Sequence, residues 1–108
     1  MIARQRRFVL TPTTAGTEID ASGRIELRAR RGEQRFEAGM DAAVADGTTF
    51  IVLANGEPAG TITLADGGGD LYVTNVDGIL PSGITPLSDL SSVEVIDGRG
   101  TVFLVGHF

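Results

Sequence analysis

The sequence predicts an all-β domain: an antiparallel β-sandwich, immunoglobulin-like or similar, of seven to eight short strands built from hairpins. Three observations predict it. Apolar and polar residues alternate along most of the chain, the period of a half-buried strand. Turn chemistry rich in Gly, Asn and Asp recurs roughly every 8–12 residues, the spacing of a sandwich or small barrel. Helical spacing is almost absent. The one stretch that can wind is residues 37–45, limited by Gly39 and Gly47, with a single turn expected near Asp41–Ala45.

Size and composition bound the rest. The chain has 108 residues, 42% of them hydrophobic, with 15 Gly, 4 Pro and no Cys or Trp. That is one domain, long enough to bury roughly 65% of its unfolded-chain surface without staples. The lack of Cys excludes disulfides, a thiol nucleophile and Cys-ligated metals. No apolar run approaches the roughly 20 residues of a membrane-spanning helix. Two segments are expected: residues 1–23, an N-terminal strand and linker, and residues 24–108, the β body.

Taken in order, Arg6–Leu10 reads as a strand, and Thr11–Gly23 as loop, with Ile19 its only large apolar residue. Residues 24–40 read as a hairpin. Ile25, Leu27 and Ala29 share a face with Phe36, Ala38 and Met40, because paired strands must match parity. A two-residue Gly32-Glu33 loop of type II′ sets Ala29 opposite Phe36 and Arg28 opposite Glu37, a favourable charge pair. Residues 49–64 form a second hairpin turning at Asn55-Gly56, where a type I′ turn needs positive φ twice. Its faces are expected to be Ile51, Leu53, Pro58, Gly60, Ile62 and Leu64 on one side, and Phe50, Val52, Ala54, Ala59, Thr61 and Thr63 on the other. Pro58 cannot donate to a ladder, so its strand starts irregularly or lies at an edge. Leu71–Val76 is a strand, and Asp77–Ser92 a longer connection. The last hairpin turns at Asp97–Gly100, with Val93, Val95, Val102 and Leu104 inward and Ile96, Phe103 and Val105 outward. Residues 51–64 and 93–104 echo each other, which suggests two similar hairpins packed pseudo-symmetrically.

Charge is distributed unevenly. Residues 1–37 hold eight Arg against five acids, a net of +3; residues 38–108 hold one against nine, a net of -8. Such an acidic body is a poor partner for nucleic acid, which needs clustered cations. Met1–Arg7 resembles the basic start of a signal peptide. Only Phe8-Val9-Leu10 follows it before Thr11-Pro12, so no export signal is expected.

Catalytic chemistry is thinly represented. Nucleophilic catalysis needs a base beside the nucleophile. His107 is the only His, and no Cys or Lys accompanies it. The acids fall mostly in turns, which favour Asp for backbone reasons alone. Asp66, Asp70 and Asp77 are weak calcium candidates, but their spacing does not match an EF-hand loop. No cofactor is expected.

From Ser22 to Phe108 the chain resembles a small Gly-rich β domain of uncharacterised, often exported bacterial proteins. The stretches that carry this are GRIELRARRGEQRFEAGM, VLANGEPAGTITL, GGDLYV and VEVIDGRGTVFLVGHF. The resemblance implies a β-sandwich with no assigned activity, and carries over no functional residue.

The sequence therefore points to a non-catalytic structural module that self-associates through its N-terminal strand, as a homo-oligomer or filament. The residues expected at that contact are Arg6, Phe8, Leu10, Ile96, Phe103 and Val105. A free strand can supply a row of backbone hydrogen bonds to a neighbour's sheet edge. The alternative is a monomeric binding module that reads a protein or glycan through its loops.

Overall fold

The computed structural model describes residues 4–30, 32–75 and 90–108. Eight strands and one short helix follow one another along the chain: β1 (Arg4–Pro12), α1 (Thr14–Glu18), β2 (Ser22–Arg30), β3 (Glu33–Asp41), β4 (Thr49–Ala54), β5 (Glu57–Thr63), β6 (Gly68–Thr74), β7 (Ser92–Ile96) and β8 (Val102–His107). The sheet order is β5-β4-β7-β8-β1-β2-β3-β6, antiparallel throughout. The fold is all-β, a nearly closed barrel-like sheet with β5 and β6 at its two edges. Two separate layers are not confirmed, because the strands form one continuous order.

β1 lies in the middle of that order. Its first seven residues pair with β2, from Arg4↔Ala29 to Leu10↔Gly23. Only Thr11 and Pro12 pair with β8. Beyond them the chain does not run as loop: Thr13 caps α1, its side chain accepting the Gly16 N–H at 3.1 Å. The helical turn thus lies at Thr14–Glu18, while residues 42–48 contain none. Thr13 has the hydroxyl an N-cap requires, and Gly16 fits beneath because a Cβ there would strike the Phe103 carbonyl oxygen.

The β2–β3 register keeps the expected faces and corrects the expected partners, while β4–β5 corrects the faces as well. In β2–β3, Leu27 faces Phe36 and Ile25 faces Ala38, two residues away from the predicted pairing. Arg30 faces Glu33, and Gly32 before Glu33 has φ +81°. Arg28 therefore opposes Arg35, not Glu37. In β4–β5 the Asn55-Gly56 turn forms as expected, with φ of +51° and +81° and Ala54 opposite Glu57. A register shift between Val52 and Leu53 then inverts the rest of β5. Ile62 faces Phe50 and is buried, along with Leu64, on the side of Val52 and Ala54. The shift follows Pro58, which has no N–H to offer.

In β7–β8, Val95 faces Leu104 and Val93 faces Gly106, two residues from the pairing of Val95 with Val102 and Val93 with Leu104 that a turn joining Ile96 to Thr101 would give. The hairpins β4–β5 and β7–β8 adjoin through β4 and β7. The sequence echo does not define equivalent faces, since it aligns buried Val52 with half-exposed Glu94. Strand β6 runs from Gly68 to Thr74; Val76 and most of the following connection lie outside the described residues.

One core draws on every strand. Phe36, Phe50, Leu10, Ile25, Met40, Ile62, Leu64 and Leu104 are its largest fully buried side chains apart from three valines. No polar or charged residue is buried among the described residues.

Candidate functional site

The outer face of β1, β2, β3 and β6 gathers charge in rows. Alternation turns Phe8, Leu10, Ile25, Leu27, Phe36 and Ala38 toward the core. It places Gln5, Arg7, Arg24, Glu26, Arg28, Arg35 and Glu37 on the outside. The ladders align them across strands as Gln5–Arg28–Arg35–Thr74, Arg7–Glu26–Glu37–Tyr72 and Val9–Arg24–Gly39–Asp70. Two rows thus set like charges directly opposite each other, Arg28 against Arg35 and Glu26 against Glu37. That juxtaposition costs stability in a sheet.

Neighbouring groups relieve part of the cost. The Gln5 amide donates to Glu26 Oε1 at 2.8 Å, and Arg7 Nε donates to the same oxygen at 3.2 Å. The Gln5 bond, and after it the Arg7 charge, hold the Glu26 carboxyl below its ordinary value near 4.5, outweighing a partial loss of hydration. Arg24 pairs with Asp70 at 3.5 Å and lies across Gly39, where a Cβ would meet its guanidinium at 2.6 Å. Arg35 reaches Glu33 at 3.3 Å and sits 5.2 Å above the Tyr72 ring. Its Nε is buried and has no hydrogen-bond partner. Between these side chains lies a shallow trough of about 230 Å³, lined by Gln5, Arg7, Glu26, Arg28, Arg35 and Glu37.

A second feature is the edge of β1. From Arg4 to Leu10 the strand is paired with β2 along one side, and β8 meets it only at Thr11 and Pro12. Val9 stands on the outer face of this stretch, 84% exposed and the most exposed large hydrophobic among the described residues.

The residues the sequence nominated for self-association do not converge on one exposed surface. Leu10 is 2% exposed and belongs to the core. Phe8 is half-buried and stacks on Phe108 with 4.0 Å between ring centroids, while Arg6 lies 4.8 Å above the Phe8 ring. Phe103, expected to face outward, packs against the core and meets Phe50 edge-on at 5.3 Å. Ile96 pairs with Ile51 and Val105 with Thr11, both half-buried. Val9 was missed, although strict alternation from Phe8 and Leu10 places it outward. The trough was missed because the register that builds it differs from the predicted one.

The calcium candidates separate. Asp66, in the β5–β6 turn at φ +53°, donates its backbone N–H to Asp46 Oδ1 at 2.9 Å, and Asp70 pairs with Arg24. Asp77 lies outside the described residues. Among the described residues no group of three or more His, Asp or Glu side chains is placed to hold a metal ion. His107 is exposed at the end of β8. No helix among the described residues is long and apolar enough to cross a membrane. No family model and no curated protein matches the chain.

Proposed function

We propose that the chain is a non-catalytic structural module that associates with copies of itself by strand addition at the open edge of β1. One observation carries this reading: among the described residues, seven residues of β1 are paired along a single side. An unpaired edge is a template for another backbone. Two β1 edges related by a twofold axis would pair antiparallel and close as a dimer. Pairing of β1 with the β5 or β6 edge of another copy would run head to tail and extend into a ring or filament. The net +3 of residues 1–37 against the -8 of residues 38–108 favours the head-to-tail form. The two halves of the sheet, β1–β2–β3–β6 and β5–β4–β7–β8, share one core, which supports reading the barrel as a sandwich joined through β1.

Light scattering over a concentration series tests the reading. The expected result is a mass above the 11.3 kDa monomer that rises with concentration. Val9→Lys, which places a charge on the exposed edge without touching the core, should lower the association several-fold. A single monomeric species at high concentration, or association indifferent to Val9→Lys, overturns it. Truncating β1 is a poorer test, since it removes Leu10 from the core.

The second reading is a monomeric module that binds a protein or glycan. The charged trough favours it. Recognition through the loops rests on analogy with immunoglobulin-like folds alone.

A further inference from the structure

We propose that the trough on the outer face of β1, β2 and β3 is a binding site for a small zwitterion carrying an ammonium and a carboxylate group, of the amino-acid class. The inference starts from which charges in the trough are already satisfied. Glu26 accepts hydrogen bonds from both Gln5 and Arg7, so these three groups form a neutralised cluster. Arg28 and Glu37 have no hydrogen bond or ion pair with any described residue. Both are half-buried, and both line the same trough. Arg35 spends one end of its guanidinium on Glu33, while its Nε is buried and unpartnered.

What remains to be complemented is Arg28, the part of the Arg35 guanidinium not spent on Glu33, and the Glu37 carboxylate. Arg28 and Arg35 are directly opposite across the β2–β3 ladder, so their guanidinium groups extend from positions about 5 Å apart. Two planar donors at that spacing suit one carboxylate, and such an anion removes their mutual repulsion. Glu37 occupies the next outward position along β3 from Arg35, about 6.8 Å away along the strand. A simple anion held by the arginines would sit beside the Glu37 carboxylate and be repelled by it. A ligand with an ammonium group next to its carboxylate instead gives Glu37 a partner. The complement of the unpaired charges in the trough is therefore a zwitterion. The trough is shallow and open to solvent, where each ion pair adds little, so affinity about millimolar is expected.

Titration of the full chain followed by amide and guanidinium NMR signals tests this. The probes are a series of linear amino acids of increasing length, with acetate and methylammonium as single-charge controls, each up to about 50 mM. The expected result is saturable shifts at Arg28, Arg35 and Glu37 for at least one zwitterion, with affinity about ten-fold above acetate. Arg28→Gln should abolish these shifts. Glu37→Gln should bring zwitterion and acetate to equal affinity, a readout that general surface disturbance would not produce. All three positions are outward, so the fold should persist, as far-UV circular dichroism would verify. Acetate binding as well as every zwitterion to the unaltered chain, or no saturable shift at these residues, overturns the proposal.

Discussion

The two halves of the sheet bury the same kind of interior and show solvent opposite kinds of surface. In β1–β2–β3–β6 the outward rows carry Arg7, Arg24, Glu26, Arg28, Arg35 and Glu37. In β5–β4–β7–β8 the outward positions carry Thr49, Thr61, Thr63, Ile51, Leu53 and a single acid in the β4–β7 ladder, Glu94. Thr49 and Thr63 share a hydroxyl hydrogen bond at 3.1 Å, a cross-strand pair that is ordinary for a solvated sheet. The charged half instead opposes Glu26 with Glu37 and Arg28 with Arg35. Alternation decides which side chains are buried, and it holds in both halves apart from the register shifts in β4–β5 and β7–β8. It is silent about the pattern of charges, so the outer rows are where the halves are free to differ.

The largest expected effect tests whether the halves share one interior. Phe36→Ala in β3 and Phe50→Ala in β4 should each cost about 3–5 kcal/mol, since both rings are buried in the same cluster. Unfolding in urea should remain a single transition, coincident by far-UV circular dichroism and by fluorescence of Tyr72, the only Tyr. Two separated transitions would make the halves independent.

Two glycines sharpen the comparison. Gly16→Ala should cost about 1–3 kcal/mol, because the new methyl meets the Phe103 backbone oxygen, which is fixed in β8. Gly39→Ala should cost less, below about 1 kcal/mol, because it meets the Arg24 guanidinium, which can swing away. Thermal midpoints of the two variants check the order.

Asn55 serves the less charged half much as the ladders serve the charged one. Its Oδ1 accepts from Ser91 N at 2.8 Å, Ser91 Oγ at 3.0 Å and Ser92 N at 3.2 Å, while its backbone holds φ +51°. Asn55→Ala should cost about 2 kcal/mol from lost hydrogen bonds and left-handed strain. Asn55→Gly should recover only the backbone part, measurable by chemical denaturation.

The smallest effect is the pH response of Glu26. Its folded-state carboxyl lies below the ordinary value, so the stabilisation is complete above that value and fades as pH falls through the depressed one. Glu26→Gln should flatten the acid limb of a stability-against-pH curve. An unchanged limb would mean that the Gln5 and Arg7 contacts are not formed in solution.

Much of this architecture is legible in the chain. Alternation identifies the strands, and it places Ile25, Leu27, Phe36, Val93, Val95 and Leu104 in the interior. The Asn55-Gly56 turn follows from its residue types. Register is harder, because a slip of two residues leaves every side chain on its proper face. Burial alone cannot distinguish Leu27↔Phe36 from Leu27↔Ala38. The β5 inversion needs knowledge of where the extra residue is inserted, and Pro58 signals irregularity without fixing its place. The trough depends on that same register, so a correct list of outward charges still gave the wrong neighbours.

The start of the chain is docked by its end. Thr11 pairs with Val105, and the Thr13 hydroxyl donates to the Val102 carbonyl at 2.6 Å across 89 positions. Closing so long a loop is slow relative to forming the β2–β3 hairpin. During synthesis on the ribosome, β1 can zip onto β2 early. Its join to β8 must wait until Leu104 and Val105 have been made. Through that interval the strand that seals the barrel is unsealed on its far side along its full length. A strand edge left unpaired during folding is the kind of surface that makes an incompletely folded chain prone to misassembly.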